Sequence, residues 1–148
     1  MAASAWVVFD VAKNLFGTGG FDLLTGDYRM SLHTSAASTN MSLSTITTWA
    51  SIGNEISATG GYTRVLLSGA TWTAGTSAGV QKYDFTDPVF TASGSILKSI
   101  RYAVVMLSAS AGGGLPLCYA ALSTASFSVT SGNTLTVQLA TTGCFTLA

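Results

Sequence analysis

The stretch ILKSIRYAVVML, from Ile96 to Leu107, decides the fold class of this chain. It begins with alternating apolar and polar side chains and ends in a continuous apolar run. Alternation is typical of a strand with one buried face, and a short apolar run suits a strand that is buried on both faces. We therefore expect one long strand here, near the centre of a β-structure.

Other segments on both sides of this stretch also have the character of strands. Tyr28–His33 places its apolar residues on alternate positions, which predicts a half-buried strand. Further strands are predicted between turn residues at 62–67, 70–73, 80–85, 89–92, 117–122, 127–130, 134–139 and 144–147. Strands at intervals of roughly ten residues indicate a mainly β fold, either an antiparallel β-sandwich or a jelly-roll-like barrel. The turn Ser131–Asn133 predicts a hairpin between the two strands that flank it.

Helical spacing occurs only in the first part of the chain. Apolar residues from Val8 to Leu15 recur at steps of three and four, and Gly17 is a plausible stop, so residues 1–20 are expected to form a short helix or an arm. A second helix is predicted from Thr45 to Glu55, with Ser44 as its N-cap. The segment 34–44 between them is predicted to be a loop. No linker or repeat divides the chain, which predicts a single domain over residues 1–148.

Charged side chains are rare, at 8% of 148 residues with a net charge of zero, against about 25% in a typical soluble domain. The 19 serines and 21 threonines supply most of the polar character. A neutral surface of this kind is poorly protected against self-association. The absence of a basic patch argues against nucleic acid as a partner, and no apolar run approaches the roughly 20 residues of a membrane-spanning helix.

Side chains that could perform chemistry are scattered. His33 is the single histidine, and a hydrolase that pairs it with a hydroxyl nucleophile is the least favoured hypothesis. Asp84 and Asp87 lie close together at a turn that contains Pro88, where carboxylates usually cap backbone donors. Cys118 and Cys144 match no metal or redox spacing, so we expect two buried thiols, although a disulfide stays possible if their strands are neighbours. The sequence predicts a protein that is not an enzyme and that has no cofactor.

The tryptophans are the strongest candidates for binding. Trp6 and Trp72 are predicted interface anchors, because tryptophan is enriched at binding hot spots. Trp49 lies on the apolar face of its predicted helix, which favours the core. An alternative function is a receptor- or sugar-binding module, with a recognition patch at Trp72 or at the glycine-rich loop 112–116.

Hydrophobic and turn positions follow one another in a characteristic order along most of the chain: Ala5-Trp6, Phe21-Asp22-Leu23, Leu32–Ser35, Ile52–Ile56, Gly60–Tyr62, Val65–Leu67 and Tyr83–Pro88. This order resembles that of small virion structural proteins of tailed bacteriophages, of the capsid-decoration (cement) or fibre type. The resemblance implies a non-enzymatic decoration protein that stabilises the phage head, and a virion location after assembly in the host cytoplasm. It implies two kinds of partner, namely further copies of the chain in a homotrimer and the major capsid protein.

A decoration protein of this kind would use its few charges to fix the register of an interface. Arg64, Lys82 and Arg101, with Glu55, are the candidates that the resemblance suggests. Neutral surfaces can pack together without leaving unpaired charges buried, which would be costly. The predicted interface therefore comprises Trp6, Trp72, Arg64, Lys82 and Arg101. The alternative, a tail-fibre or receptor-binding module, would use the same β-fold.

Overall fold

A computed structural model describes residues 5–41, 45–75, 77–108, 114–139 and 143–147 of the chain. The fold is mainly β, and its paired strands run antiparallel. Two short α-helices lie in the N-terminal part, α1 at Asp10–Thr18 and α2 at Ser38–Met41. The predicted fold class is thus confirmed.

Twelve strands are found in the described residues. In chain order they are β1 Val7–Val8, β2 Tyr28–His33, β3 Val65–Leu66, β4 Thr71–Ala74, β5 Gln81–Asp84, β6 Val89–Thr91, β7 Leu97–Ile100, β8 Tyr102–Leu107, β9 Leu115–Ala121, β10 Phe127–Val129, β11 Thr134–Thr136 and β12 Phe145–Leu147. Most lie within a segment that the sequence predicts as a strand, although several are shorter than expected.

The largest sheet has five strands in the order β1-β9-β8-β2-β3. Its centre is the pairing of β2 with β8, in which Tyr28 lies opposite Leu107 and His33 lies opposite Tyr102. Five of the six residues of β2 are buried, including the polar Ser31 and His33. The prediction of a half-buried β2 was therefore wrong, because both of its faces are covered.

Three smaller sheets complete the fold: β12-β5-β4, β11-β6 and β10-β7. The β12-β5-β4 sheet packs against the face of the large sheet that carries Tyr28, whose ring lies 6.1 Å from that of Tyr83 in β5. Most of the buried apolar side chains of the large and small sheets belong to one cluster. The arrangement is sandwich-like, with the five-stranded sheet as one layer.

The stretch from Ile96 to Leu107 forms two strands instead of the one long strand predicted. They are β7 and β8, and Arg101 lies between them. The Arg101 N–H donates to the His33 carbonyl, and the Arg101 carbonyl accepts from the Leu122 N–H. Ser99 adopts a left-handed backbone with φ of 59°. The chain turns here, so that β7 pairs with β10 while β8 enters the five-stranded sheet.

The predicted helix from Thr45 to Glu55 was wrong. A single 3₁₀ turn, Trp49–Ser51, is present instead, and Thr48 before it is extended. The Trp49 N–H donates to the Gly114 carbonyl at 2.6 Å, a partner outside any helix. Gly53 and Asn54 have positive φ, which a helix interior does not allow. The predicted N-cap, Ser44, lies outside the described residues.

The N-terminal helix was predicted correctly, although it ends later than expected. α1 continues through Gly17 to Thr18, and Gly19 then adopts the left-handed conformation that commonly ends a helix. The short strand β1, Val7–Val8, comes directly before this helix. The predicted loop at 34–44 instead contains a 3₁₀ turn, Ser35–Ala37, followed by α2. The 3₁₀ turn buries Ala37 and α2 buries Met41, and this burial favours the helical conformation over an open loop.

The hairpin predicted at Ser131–Asn133 does not form. β10 pairs with β7, and β11 pairs with β6, so the two strands lie in different sheets. The turn itself is present and is held by Ala92, whose N–H donates to the Asn133 carbonyl and whose carbonyl accepts from the Gly132 N–H. Contacts distant in sequence thus override the local preference for a hairpin.

Candidate functional site

A cluster of polar side chains closes the open edge of β2. The neighbouring β3 pairs only with Arg29 and Met30, which would leave the rest of this edge without partners. The Tyr62 hydroxyl accepts the Leu32 N–H at 2.9 Å, and Glu55 forms an antiparallel bridge with His33. Because unpaired buried N–H groups are costly, these contacts complete the edge of the sheet.

Glu55 is the charged centre of this cluster. Its carboxylate accepts two hydrogen bonds from Arg64, from Nε and Nη2, each at 3.0 Å, and a third from the Tyr62 hydroxyl at 2.6 Å. The bonds to Glu55 raise the pKa of Arg64, and burial raises the pKa of Tyr62. The Arg64 guanidinium also lies 3.6 Å from the centre of the Trp49 ring, in cation–π geometry.

A second chain of hydrogen bonds runs beneath Trp49. Trp49 Nε1 donates to Ser31 Oγ at 3.0 Å, and Ser31 Oγ lies 2.9 Å from His33 Nε2. His33 Nδ1 lies 2.8 Å from the Gly53 carbonyl, which can only accept. This assigns the proton of a neutral His33 to Nδ1, so that Nε2 accepts from the Ser31 hydroxyl. Burial lowers the pKa of His33, which favours this neutral form.

The serine and histidine contact invites comparison with a hydrolytic pair, the least favoured of the hypotheses from sequence. Both Ser31 and His33 are 0% exposed. The Ser31 oxygen is already occupied by its bonds to Trp49 and His33. In this conformation a substrate has no access to the Ser31 oxygen, and the geometry supports a structural role for both residues.

The structure places the three predicted interface cations in different surroundings. Arg64 belongs to the cluster just described. Lys82 in β5 pairs with Asp84 at 3.2 Å, where both side chains are about one-quarter exposed. Arg101 lies 5.6 Å from the centre of the Tyr102 ring, and its Nε is buried with no hydrogen-bond partner among the described residues.

Trp6 and Trp72 lie near the same residue, Phe145 of β12. Trp72 is half-buried in β4, with its ring 6.0 Å from Phe145 and 6.3 Å from Tyr83. Trp6 and Phe145 line a hollow of about 270 Å³. Phe145 and Tyr83 therefore cover part of the Trp72 ring, and that part cannot stack against a sugar. Residues 112–113 of the alternative recognition patch lie outside the described residues.

The prediction that Asp84 and Asp87 cap backbone N–H groups was correct. Asp84 accepts from the Phe85 N–H at 3.0 Å, and Asp87 accepts from the Leu139 N–H at 2.9 Å. The prediction of two thiols was wrong, because Cys118 and Cys144 are bonded as a disulfide. Cys118 belongs to β9 and Cys144 immediately precedes β12, so the bond links the large sheet to a smaller one.

Sequence reasoning missed Ser31 and Tyr62 as members of the cluster. The alternation of Tyr28–His33 does place Ser31 and His33 on one face of β2, and that signal could have paired them. Nothing local indicates that the hydroxyl of Tyr62 would replace a strand partner 30 positions away. The cluster depends on where the segment from Trp49 to Arg64 crosses the sheet edge.

In the described residues, no group of three or more His, Cys, Asp or Glu side chains lies close enough together to hold a metal ion. The same part of the chain has no helix with the length and apolar character needed to span a membrane. Fold and site together define a mainly β, antiparallel protein with a buried polar cluster at one sheet edge. Comparison of the chain with protein-family models, with curated proteins and with solved structures finds no match.

Proposed function

We propose that this chain is a non-enzymatic structural subunit that associates with copies of itself. The assembly is a homotrimer on the capsid surface of a tailed bacteriophage, where the subunit contacts the major capsid protein as a decoration protein. Three things support the proposal: the sequence resemblance described above, the way the fold uses its charges, and the side chains at its strand edges.

The first structural support is that the fold neutralises most of its charge internally. Eight of the twelve charged residues form ion pairs within the chain: Asp10–Lys13, Asp27–Arg29, Glu55–Arg64 and Lys82–Asp84. Asp22 and Asp87 accept backbone N–H groups, which also satisfies part of their charge. Little unpaired charge is therefore left, and electrostatic repulsion does little to keep copies of this chain apart.

The observation that carries the proposal concerns the exposed apolar residues. Four of the five large ones, Val7, Leu66, Val89 and Leu147, lie in β1, β3, β6 and β12. In the described part of the fold, each of these strands has a hydrogen-bonded neighbour on one side only. None of the four contains a charged residue. Monomeric proteins usually protect edges with charge, proline, a covering segment or short strands, and of the protections that lie within a strand these four have only short length, at two or three residues each.

A matched pair of leucines tests this proposal. Leu66 and Leu24 are both 56% exposed, but Leu66 lies in edge strand β3 and Leu24 lies in the turn before β2. We expect Leu66→Lys to weaken self-association at least tenfold, measured by sedimentation equilibrium, because a lysine would be buried against the next copy. Leu24→Lys should leave the association constant unchanged. Equal effects of the two substitutions, or no effect of Leu66→Lys, would contradict association through strand edges.

The virion part of the proposal has a separate test. Particles purified from the host that carries this sequence are analysed by mass spectrometry and by cryo-electron microscopy. The proposal predicts this chain in stoichiometric amounts, as trimeric density on the capsid surface. Its absence from purified particles that contain the major capsid protein would overturn the virion assignment, and would leave the self-association result standing on its own.

A further inference from the structure

The covering segment Thr45–Ile56 reaches the five-stranded sheet through His33, a contact that the proposed assembly function does not use. One end of the contact is the Trp49 indole, which donates to Ser31 Oγ, and the other is the Gly53 carbonyl, which accepts from His33 Nδ1. Ser31 and His33 belong to β2, so the covering segment is bound to the sheet at the first residue of its 3₁₀ turn and again just after the turn.

The direction of these hydrogen bonds depends on the protonation of His33. With neutral His33, each hydrogen has one acceptor: the indole donates to Ser31, Ser31 donates to His33 Nε2, and His33 Nδ1 donates to Gly53. A proton on Nε2 turns that acceptor into a donor. The Trp49 indole and the imidazolium are then both donors to Ser31 Oγ. The Ser31 hydrogen must turn to the Val104 carbonyl, 3.4 Å away, which is too far for a strong bond.

Protonation would also place a charge where it is poorly solvated, since His33 is 0% exposed. The titratable and charged side chains around it come from the sheet edge and from the start of β8: Glu55, Tyr62, Arg64, Arg101 and Tyr102. Glu55 favours the imidazolium and Arg64 opposes it, and these two are already engaged with each other. The surroundings therefore offer no uncommitted carboxylate to balance the new charge.

We propose that Thr45–Ile56 is an acid-released cover on the five-stranded sheet, held closed at neutral pH by unprotonated His33. Opening would expose the Trp49 ring and leave Arg64 without its aromatic contact. It would also break the hydrogen bonds by which Asn54 and Ile56 bind Thr34 and Leu32, and those that Glu55 accepts from Tyr62 and Arg64. The sign follows from linkage: burial holds the pKa of folded His33 below 6.5, whereas an opened and solvated His33 titrates near 6.5. The closed state is therefore fully favoured above pH 6.5, and opening becomes easier as the pH falls below that value.

Nuclear magnetic resonance of the full chain labelled with ¹⁵N at tryptophan and histidine tests this cover. The three indole N–H signals are followed from pH 7.5 to 4.5 and assigned with Trp6→Phe, Trp49→Phe and Trp72→Phe. We expect the Trp49 signal to shift with one midpoint below 6.5, and its exchange with solvent to increase at least tenfold. The Trp6 and Trp72 signals should stay unchanged over the same range.

The control is His33→Asn, whose amide can still donate to Gly53 but does not titrate, and it should abolish the Trp49 transition. Because His33 is the single histidine of the chain, its own imidazole signals can be followed in the unmodified protein even if the variant does not fold. The imidazole midpoint must then coincide with that of the indole. A Trp49 signal that is constant to pH 4.5, a transition that persists in His33→Asn, or different midpoints for the two rings would overturn the proposal.

Discussion

Arg64 illustrates how a single charged residue is used in this fold. Its guanidinium binds both carboxylate oxygens of Glu55 and lies 3.6 Å from the centre of the Trp49 ring, a combination of contacts that lysine could not reproduce. Glu55 in turn accepts from Tyr62, which closes the edge of β2. A residue that the sequence suggested as an interface charge thus has a role inside its own subunit. Whether it also contacts a neighbouring copy stays a prediction.

We expect Arg64→Gln to lower the free energy of unfolding by about 1–2 kcal/mol, measured by urea denaturation. The loss combines charge-assisted hydrogen bonds, discounted because the Arg64 side chain is 38% exposed, with the contact to Trp49. Lys13→Gln is the matched control, because it breaks an ion pair whose side chains are more than half exposed, and it should cost about 0.3 kcal/mol. Similar losses in both variants would refute the structural role of Arg64.

Two glycines with positive φ, Gly60 and Gly79, differ in what surrounds them. Gly60 has φ of 68°, and a β-carbon there would lie 2.9 Å from the Ser95 carbonyl oxygen. Gly79 has a similar φ of 79°, but no atom lies within 4 Å of the same position. Comparing substitutions at the two positions therefore separates the cost of backbone strain from the cost of steric contact.

We predict that Gly79→Ala lowers the unfolding free energy by about 1 kcal/mol, the cost of a left-handed backbone for alanine. Gly60→Ala should cost about 2–4 kcal/mol, because the backbone of 95–96 must also move. Thermal and urea unfolding of both variants provide the measurement. An equal loss at the two positions would show that the close approach of the Gly60 turn to Ser95 is not maintained.

The disulfide joins β9 to the residue directly before β12, and the described residues have no strand pairing between β9 and β12. Its cysteines are 26 positions apart, and closing a loop of that length stabilises a fold by about 3 kcal/mol in the chain-entropy description. We expect a reducing agent to lower the urea midpoint of the unmodified protein accordingly. The double variant Cys118→Ala with Cys144→Ala should be indifferent to the reducing agent. If the unmodified protein were equally indifferent, the pairing of these cysteines would be wrong.

Elements with a strong local signal could be predicted from the sequence, and those set by distant contacts could not. The alternation of Tyr28–His33 and the spacing from Val8 to Leu15 gave β2 and α1. The apolar residues of Thr45–Glu55 have the spacing of a helix, but the Trp49 N–H is taken by Gly114. The polar cluster escaped prediction for the same reason, since its hydrogen bonds join β2 to residues that follow it by 18 to 30 positions.

The whole molecule combines a neutral surface with strand edges that carry exposed valines and leucines. Each feature alone is compatible with a monomer, because scattered apolar residues are normal on protein surfaces. Their coincidence on uncharged edge strands is what points to association. An obligate assembly would bury these edges and would also explain why so few charges are needed at the surface.

The mass of the unmodified protein in solution tests the central claim most directly. Size-exclusion chromatography with multi-angle light scattering measures it across a wide range of concentration at neutral pH. The account predicts a species of about three times the 15.1 kDa chain mass that persists on dilution into the micromolar range. A single species at the mass of one chain at every concentration would contradict it.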